Sequence, residues 1–296
     1  MEIGIIQAVQ SVASPNTLWG AIVDNFMLGL SFFGETAIVI ITLFVIYWCF
    51  NRKLGEYLLF CVFTSSCFSF TLKNIVKRPR PIFSDALRNG EIRHVKVDNL
   101  LVDTNFKPTS YSFPSGHVTN AGTLYMGIAS YFRVRWLIIS SIAFTLLLAI
   151  SRIYLGVHYP SDTLVGFMIA SLVCWGIGWL YQKFYSKRFM LAGIITLVFG
   201  ILSIFFGDTK IFGLVGAGLG YCVCAPIEER FIKFEDAKVW WKRILRFLVG
   251  LACAGVVFLL SSLVLPLETI GVIIIMALVV GSAVLLAPYL FKLLKL

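Results

Sequence analysis

Three short polar stretches interrupt a very apolar sequence, and their residue types suit the chemistry of phosphate esters. The stretches are KNIVKRPRP, PSGH and SRIYLGVHYPSD. Arginine matches the paired oxygens of a phosphate with two parallel hydrogen bonds, and lysine adds a compact charge. The fixed cations therefore predict an anion site. The candidate residues are Lys73, Arg80, Ser115, Gly116, His117, Arg152, His158 and Asp162.

The PSGH stretch has the residues that begin an α-helix and approach a bound anion. Ser115 is a favourable N-cap residue, and Gly116 lets the backbone come close to a ligand. The unpaired N–H groups of a first helical turn, together with the helix dipole, bind anions. We therefore expect the start of this helix to contribute to the same anion site.

The third stretch carries a histidine and a carboxylate four residues apart. A carboxylate on one imidazole nitrogen leaves the other nitrogen free and raises its basicity, so Asp162 is predicted to orient His158 as a nucleophile or base. His117 then remains as the proton donor. The chain has three histidines, and two of them lie in these stretches.

Each of these residues, taken alone, also fits a structural role. Lys73 and Arg80 can extend their charges to lipid headgroups. Ser115 and Asp162 can simply cap helices, and a lone histidine is more often structural than catalytic. The set as a whole favours function, because ionisable groups within or next to a membrane are costly and usually functional.

Composition indicates that the elements around these stretches are transmembrane helices. The 296 residues are 59% hydrophobic and 14% charged, with a mean hydropathy of +0.89, whereas soluble domains carry roughly 25% charged residues. Backbone groups in lipid must be paired within the segment, which favours helices. The predicted spans are residues 27–50, 55–77, 116–132, 136–156, 161–184, 189–207, 211–227, 244–265 and 268–291.

The distribution of positive charge predicts the orientation. No lysine or arginine precedes Arg52, and every second connection between spans is basic, whereas GDTK and PLET carry little positive charge. The long connection before PSGH is also basic, but long loops can cross a membrane regardless of charge. By the positive-inside rule the N-terminus lies outside, the C-terminus lies in the cytoplasm, and the three polar stretches lie at the outer face. The net charge of +10 reflects this bias, so no nucleic-acid partner is indicated.

The three stretches together resemble the signature of the type 2 phosphatidic acid phosphatase superfamily. Its pattern is K-x6-RP, then PSGH, then SR-x5-H-x3-D, and every fixed position is present within roughly residues 55–185. The resemblance implies that His158 forms a phosphohistidine, that Asp162 orients it, and that His117 protonates the leaving oxygen and then activates water. The implied phosphate-binding residues are Lys73, Arg80, Ser115, Gly116 and Arg152.

The resemblance also implies a fold and an activity. The family core has six spans, so we expect an all-α, polytopic membrane helical bundle with an interfacial segment (1–26), a six-helix phosphatase core (27–207) and a C-terminal extension of about three transmembrane helices (208–296). The implied activity is hydrolysis of a lipid phosphate or diphosphate, such as phosphatidylglycerophosphate or undecaprenyl diphosphate, in the cell membrane. No cofactor or metal is expected, and His94, Asp98 and Asp103 are too loosely spaced for a metal site.

Two other functions remain open at this point. A phosphotransferase would pass the same intermediate to an acceptor other than water. An anionic-lipid transporter would use the cations alone and would not need the His158–Asp162 pair. A vanadate-dependent haloperoxidase, also a member of the superfamily, does not suit so apolar a chain.

The expected partners are a lipid phosphate substrate, the membrane lipids and a further copy of the chain. Gly216 and Gly220 lie at GxxxG spacing, which allows close contact between transmembrane helices. The contact lies either within the chain or in a homo-oligomer formed through the C-terminal helices.

Overall fold

A computed structural model describes residues 1–95, 110–266 and 268–296, which are mostly helical and contain no strand. The all-α prediction is thus confirmed. In two places an α-helix continues through a π-helical turn into the next α-helix, and two further such turns end the helices that they follow. The α-helices are α1 (Glu2–Gln10), α2 (Leu18–Phe32), α3 (Thr36–Val45), α4 (Arg52–Val76), α5 (Asp85–Arg88), α6 (Gly116–Phe132), α7 (Arg135–Tyr154), α8 (Pro160–Ser171), α9 (Gly178–Lys183), α10 (Arg188–Phe206), α11 (Thr209–Ile227), α12 (Trp240–Val264), α13 (Thr269–Gly281) and α14 (Ala287–Leu293).

The described residues include seven helical runs that are long and apolar enough to cross a membrane. A bent pair, α2 with α3, raises that number to eight. The predicted span 116–132 corresponds to α6, which has 17 residues. The chain is therefore a multi-pass membrane protein. The seven runs are Arg52–Arg88, Arg135–Tyr154, Pro160–Lys183, Tyr185–Phe206, Thr209–Ile232, Trp240–Val264 and Thr269–Leu293.

The first span differs from its prediction of residues 27–50. Helix α2 already begins at Leu18, and the two helices of the pair meet at an angle of 50°. At the break, the N–H of Gly34 donates to Ser31 O at 2.9 Å and the N–H of Glu35 donates to Phe32 O at 3.0 Å. Glycine is a poor helix former, so the tight turn replaces the regular helix here.

Contacts divide the described chain into two compact units. The first unit comprises Met1–Ile40 and Phe68–Gly176, and the second comprises Ile41–Cys67 and Ile177–Leu296. The division of the chain at residues 26 and 207 rests on the sequence and stays a prediction.

In the first unit α6 packs against both α7 and α8, and small residues set the distance. A Cβ on Gly166 of α8 would lie 2.9 Å from Ser115 O, so only glycine allows this approach. The start of α6 is thereby held beside the start of α8. Helix α1 also packs on α7 and α8, with Ile6 fully buried, so the N-terminal segment is part of the packed unit.

In the second unit α11 and α13 form a close seam, and the GxxxG glycines lie in it. A Cβ would lie 2.2 Å from Ile273 O if added to Gly216, and 2.3 Å from Ala277 O if added to Gly220. This face of α11 is therefore occupied within the chain. An oligomer formed through the C-terminal helices stays a prediction. It would have to use a different helix face from the one that α11 packs against α13.

The seam predicts a difference in stability between two glycine substitutions. Gly216→Ala forces a methyl group against a backbone carbonyl, and such overpacking costs about 1–3 kcal/mol. Gly193, in α10, has nothing within 4 Å of an added Cβ, so Gly193→Ala should gain about 0.5–1 kcal/mol from helix propensity. Thermal unfolding in detergent should give a lower midpoint for Gly216→Ala than for Gly193→Ala. Equal midpoints would contradict the seam.

Candidate active site

All eight residues predicted for the site lie in the first unit, on elements that meet around His158. Direct contacts join Arg80 to His158, His158 to Asp162, and Ser115 to Asp162. The ends of four helices and the segments beside them therefore supply one cluster. Lys73 is in the last turn of α4, Arg80 follows that helix, and PSGH begins α6. Arg152 is in the last turn of α7, His158 lies between α7 and α8, and Asp162 is in the first turn of α8.

A glycine turn brings His158 into the cluster. Gly156 follows α7 with φ of +75°, a left-handed conformation that favours glycine. A Cβ at this position would also lie 2.5 Å from Arg93 O. The chain reverses here within four residues of the end of α7, which places the histidine before the first turn of α8.

The Nε2 nitrogen of His158 faces a guanidinium group. Nη1 of Arg80 lies 3.1 Å from His158 Nε2 and donates to Val157 O at 3.0 Å. Nε of Arg80 donates to Ser110 O at 3.0 Å. Arg80 is 5% exposed and His158 is 1% exposed. The backbone contacts fix the guanidinium, so its charge is available at a set position beside the imidazole.

The imidazole of His158 is held in its neutral form. Burial lowers its pKa well below the ordinary value, and the positive charges of Arg80, Arg152 and Lys73 lower the pKa further. A neutral imidazole keeps a lone pair, which both a nucleophile and a base require. The same charges that repel a proton would attract the oxygens of a phosphoryl group.

The Asp162 carboxylate caps α8 and also lies beside the His158 ring. One carboxylate oxygen, Oδ2, accepts from the N–H of Tyr159 at 2.8 Å and lies 3.4 Å from His158 Nδ1. The other, Oδ1, accepts from Arg78 Nη1 at 3.2 Å. The capping role and the orienting position are thus compatible. Side-chain contacts of this kind often tighten when a substrate binds.

The hydroxyl of Ser115 is not used as a helix cap. Ser115 occupies the N-cap position of α6, but its side chain makes no capping hydrogen bond. Oγ is buried and has no hydrogen-bond partner among the described residues. A Cβ on Gly116 would meet nothing within 4 Å, so space is open above the first turn. An unused hydroxyl, open space and a helix N-terminus together fit an anion.

The other two cations contact the surrounding elements. Lys73 Nζ donates to Tyr111 O at 2.9 Å and to Pro114 O at 3.0 Å, so it ties the end of α4 to the approach to PSGH. Arg152 is fully buried, and its Nη1 donates to Ser31 Oγ. Both side chains add positive potential at His158.

Comparison with known proteins identifies this arrangement. Residues 55–188 match the PAP2 superfamily, and residues 212–296 match the transmembrane extension of PAP2 superfamily phosphatases. The chain is 32% identical over 181 residues to decaprenylphosphoryl-5-phosphoribose phosphatase of Mycobacterium tuberculosis, a match covering 58% of this chain and 86% of that protein. The chain belongs to the PAP2 superfamily. The resemblance drawn from the three motifs is thereby confirmed.

Two further PAP2 proteins are similar to this chain. Phosphatidylglycerophosphatase B of Haemophilus influenzae is 30% identical over 137 residues, which are 44% of this chain and 55% of that protein. A crystal structure of a transmembrane PAP2-type phosphatidylglycerolphosphate phosphatase from Bacillus subtilis has 23% identity and a TM-score of 0.47, covering 62% of this chain and 85% of that chain. The chain thus spans about half the length of the Haemophilus protein.

Residues outside the PAP2 match complete the site, and sequence reasoning missed them. Ser31 contacts Arg152, and Glu35 Oε1 lies 3.0 Å from His117 Nε2. Both residues precede residue 55, where the match begins. Glu35 could have been recognised as a candidate site residue, because it is an acidic residue inside a predicted span. Such residues are costly in lipid and usually functional.

The N-terminal helix also reaches the PAP2 site, through Arg78. The guanidinium of Arg78 pairs with Glu2, donates to Ser161 Oγ at 2.7 Å and stacks 3.8 Å from the centre of the Tyr159 ring. Burial acts to raise the pKa of Glu2, but hydrogen bonds from Ser161 and Arg78 outweigh it and leave that pKa below its ordinary value. Glu2 therefore stays ionised and holds Arg78 against Asp162.

The sequence predicts no metal site, and His94, Asp98 and Asp103 are too loosely spaced to form one. Among residues 1–95, 110–266 and 268–296, no three His, Cys, Asp or Glu side chains are grouped so that they could hold a metal ion. Asp98 and Asp103 lie outside the described residues.

Proposed function

We propose that this chain is an integral membrane lipid-phosphate phosphatase that works through a phosphohistidine on His158. The observation that carries the proposal is the buried His158 imidazole, which lies between the Arg80 guanidinium and the Asp162 carboxylate. Burial and the nearby cations lower its pKa, which favours the neutral form. An anion-binding transporter has no use for such a pair. The phosphatase names of the PAP2 relatives support the same activity.

The first chemical requirement is to hold the phosphoryl group and to neutralise its charge. Phosphoryl transfer depends mainly on positioning and electrostatic stabilisation. Lys73, Arg80 and Arg152 supply three positive charges. Ser115 Oγ and the N–H groups at the start of α6, beside Gly116, supply neutral donors.

The first transfer moves the phosphoryl group to the enzyme. The lone pair of His158 Nε2 attacks phosphorus while the bond to the lipid oxygen breaks. That oxygen takes a proton from His117 and leaves as an alcohol, or as a lipid phosphate if the substrate is a diphosphate. Asp162, at Nδ1, stabilises the positive charge that develops on the His158 ring.

The second transfer releases the phosphate. His117, now neutral, accepts a proton from water as the water oxygen attacks the phosphohistidine. The P–N bond breaks, the electron pair returns to His158, and inorganic phosphate leaves. Both histidines are then in their starting forms, so the cycle needs only water as a second substrate.

The substrate class follows from the surroundings of the site and from the relatives. The chain is a multi-pass membrane protein, so a lipid tail can remain in the bilayer while its phosphate reaches His158. Names of PAP2 relatives include phosphatidylglycerophosphatase, undecaprenyl-diphosphatase and lipid A phosphatase. The proposed substrate is a lipid phosphate or diphosphate at the outer face of the cell membrane.

Phosphate release from a panel of lipid phosphates tests the activity. Purified protein in detergent should release inorganic phosphate from at least one of phosphatidylglycerophosphate, phosphatidate, undecaprenyl diphosphate and lipid A. His158→Ala protein serves as the blank. Phosphate that appears on an added alcohol instead of in solution would identify a phosphotransferase. Binding without turnover of any substrate would overturn the proposal.

Vanadate should inhibit the enzyme, and chelators should not. Vanadate forms a five-coordinate species resembling the transition state of phosphoryl transfer, and enzymes bind such analogues more tightly than substrates. Arg80 and Arg152 supply the charge for that binding without a metal ion. Activity is to be measured with vanadate and, separately, with EDTA. Loss of activity in EDTA that a divalent ion restores would contradict the mechanism.

The proposed orientation predicts selective labelling of introduced cysteines. Asn89 is exposed in the first unit after α5, and Lys238 is exposed in the second unit before α12. In intact cells, an impermeant maleimide should label Asn89→Cys but not Lys238→Cys. The short basic connections stay in the cytoplasm, whereas the long connection that holds Asn89 is expected to cross despite its charge. Cys222 and Cys224, the two half-buried native cysteines, are first replaced by alanine. The reverse labelling pattern would place the site in the cytoplasm.

A further inference from the structure

The break between α2 and α3 lies against the site. Three residues of this short segment make site contacts. Ser31 Oγ accepts from Arg152 Nη1, Glu35 contacts the His117 ring, and a Cβ added to Gly34 would lie 3.1 Å from both Cβ and Cδ2 of His117. The turn that ends α2 thus packs directly on the imidazole of His117.

The contact between Glu35 and His117 is direct and largely shielded from water. Oε1 of Glu35 lies 3.0 Å from Nε2 of His117, and the side chains are 17% and 15% exposed. The backbone of Glu35 is fixed on both sides, because its N–H donates to Phe32 O and its carbonyl accepts from Val39 N at 3.0 Å. The carboxylate is therefore presented from a rigid part of the fold.

A carboxylate at one nitrogen decides what the other nitrogen can do. With Nε2–H directed to Glu35, neutral His117 has its lone pair on Nδ1 and can accept a proton there. Protonated His117 can give the same proton from Nδ1. A histidine that must serve first as acid and then as base benefits from such an assignment. Outer partners of functional histidines fix the ring orientation in the same way.

We propose that Glu35 is the positioning residue of His117, holding Nε2–H so that Nδ1 carries the proton to the leaving oxygen and takes the proton from water. The site then contains two histidine–carboxylate pairs, His158 with Asp162 and His117 with Glu35. The second pair comes from outside the region that matches the PAP2 superfamily. This inference rests on the proposed phosphatase activity.

The isosteric variant Glu35→Gln tests the role through the leaving group. The amide oxygen of the glutamine can still accept a hydrogen bond from His117 Nε2, but the negative charge is lost. Glu35→Ala loses both the acceptor and the charge. We expect turnover of a short-chain phosphatidate to fall about tenfold in Glu35→Gln and further in Glu35→Ala. Acid–base catalysis as a whole contributes roughly 100-fold or more, and losing Glu35 should remove only part of that contribution. Phosphohistidine formation from p-nitrophenyl phosphate should stay within about twofold of wild type, since nitrophenolate leaves without a proton.

A double variant and a matched control separate this role from a loss of structure. In a His117→Ala background, Glu35→Gln should cause no further loss, because its effect passes through His117. Asp24→Asn removes a carboxylate of α2, which pairs with Arg93, and should not produce the split between leaving groups. An equal loss with both substrates, or a further loss in the double variant, would overturn the inference.

The outcomes also distinguish this inference from the proposed function. If wild-type protein hydrolyses lipid phosphates and Glu35→Gln does so equally well, the positioning role is wrong and the phosphatase activity stands. If wild-type protein hydrolyses no substrate of the panel, both are wrong. Thermal midpoints of the variants in detergent confirm that the compared proteins are folded.

Discussion

Replacing His158 with alanine should abolish phosphate release from every substrate, whatever its leaving group. Without Nε2 there is no nucleophile, so no phosphoenzyme forms and the cations can only bind the substrate. The loss should be on the order of 10^4-fold or more, as for removal of other nucleophiles. Binding should survive, because Lys73, Arg80 and Arg152 remain.

Trapping of the phosphoenzyme gives the decisive measurement. Wild-type protein mixed with a labelled lipid phosphate and quenched in alkali should retain label that is lost in acid, as a phosphohistidine does. His158→Ala should retain none. His94→Ala is the matched control, since His94 is the third histidine of the chain and lies outside the motifs. Acid-labile label on His158→Ala protein would place the nucleophile elsewhere.

The Asp162→Asn variant should form phosphoenzyme at a rate between those of the wild-type protein and His158→Ala. The contacts of Asp162 give the reason. Asp162→Asn keeps an oxygen that can cap α8 at the Tyr159 N–H, but it removes the charge beside His158 Nδ1. Phosphoenzyme should therefore still form, only more slowly. The comparison with His158→Ala separates the orienting group from the nucleophile.

The residues of the candidate site were predictable because short motifs determine both identity and local geometry. His158 and Asp162 are four residues apart across a glycine turn and a helix start, and the contact between them follows from that spacing. Gly116 and Ser115 signal a helix N-terminus, and the structure begins α6 there. The positions of most spans followed from long apolar runs, since lipid leaves the backbone few choices; nine spans were predicted, and the described residues hold seven long apolar helices, or eight with the bent pair.

Contacts between distant segments were not predictable, because no local pattern records them. The pairing of Glu35 with His117 depends on a 50° bend between α2 and α3, and Phe33–Glu35 sit within a continuous apolar run in the sequence. Likewise, Glu228 looks like a charge at headgroup level, but it is buried and pairs with Arg52 within the second unit. In both cases the partner of an isolated acid lies far away in sequence.

The phenotype of His117→Ala should depend on the leaving group. An alkyl alkoxide is strongly basic and must be protonated as it departs, so transfer from a lipid phosphate should slow by about 100-fold or more when the acid is removed. A nitrophenolate is weakly basic and leaves without that proton. His117→Ala should therefore still be phosphorylated on His158 by p-nitrophenyl phosphate at a rate close to wild type.

The second half of the cycle then gives His117 a distinct signature. Hydrolysis of the phosphohistidine needs a base for the attacking water, and His117→Ala lacks it, so the intermediate should accumulate while steady-state release stays slow. A burst of nitrophenol followed by slow turnover is the expected time course, with labelled protein approaching one phosphate per chain. If His158→Ala showed the burst and His117→Ala did not, the two roles would be exchanged. If His117→Ala hydrolysed lipid phosphates at the wild-type rate, the proton would come from another group, and the contact with Glu35 would have only a structural role.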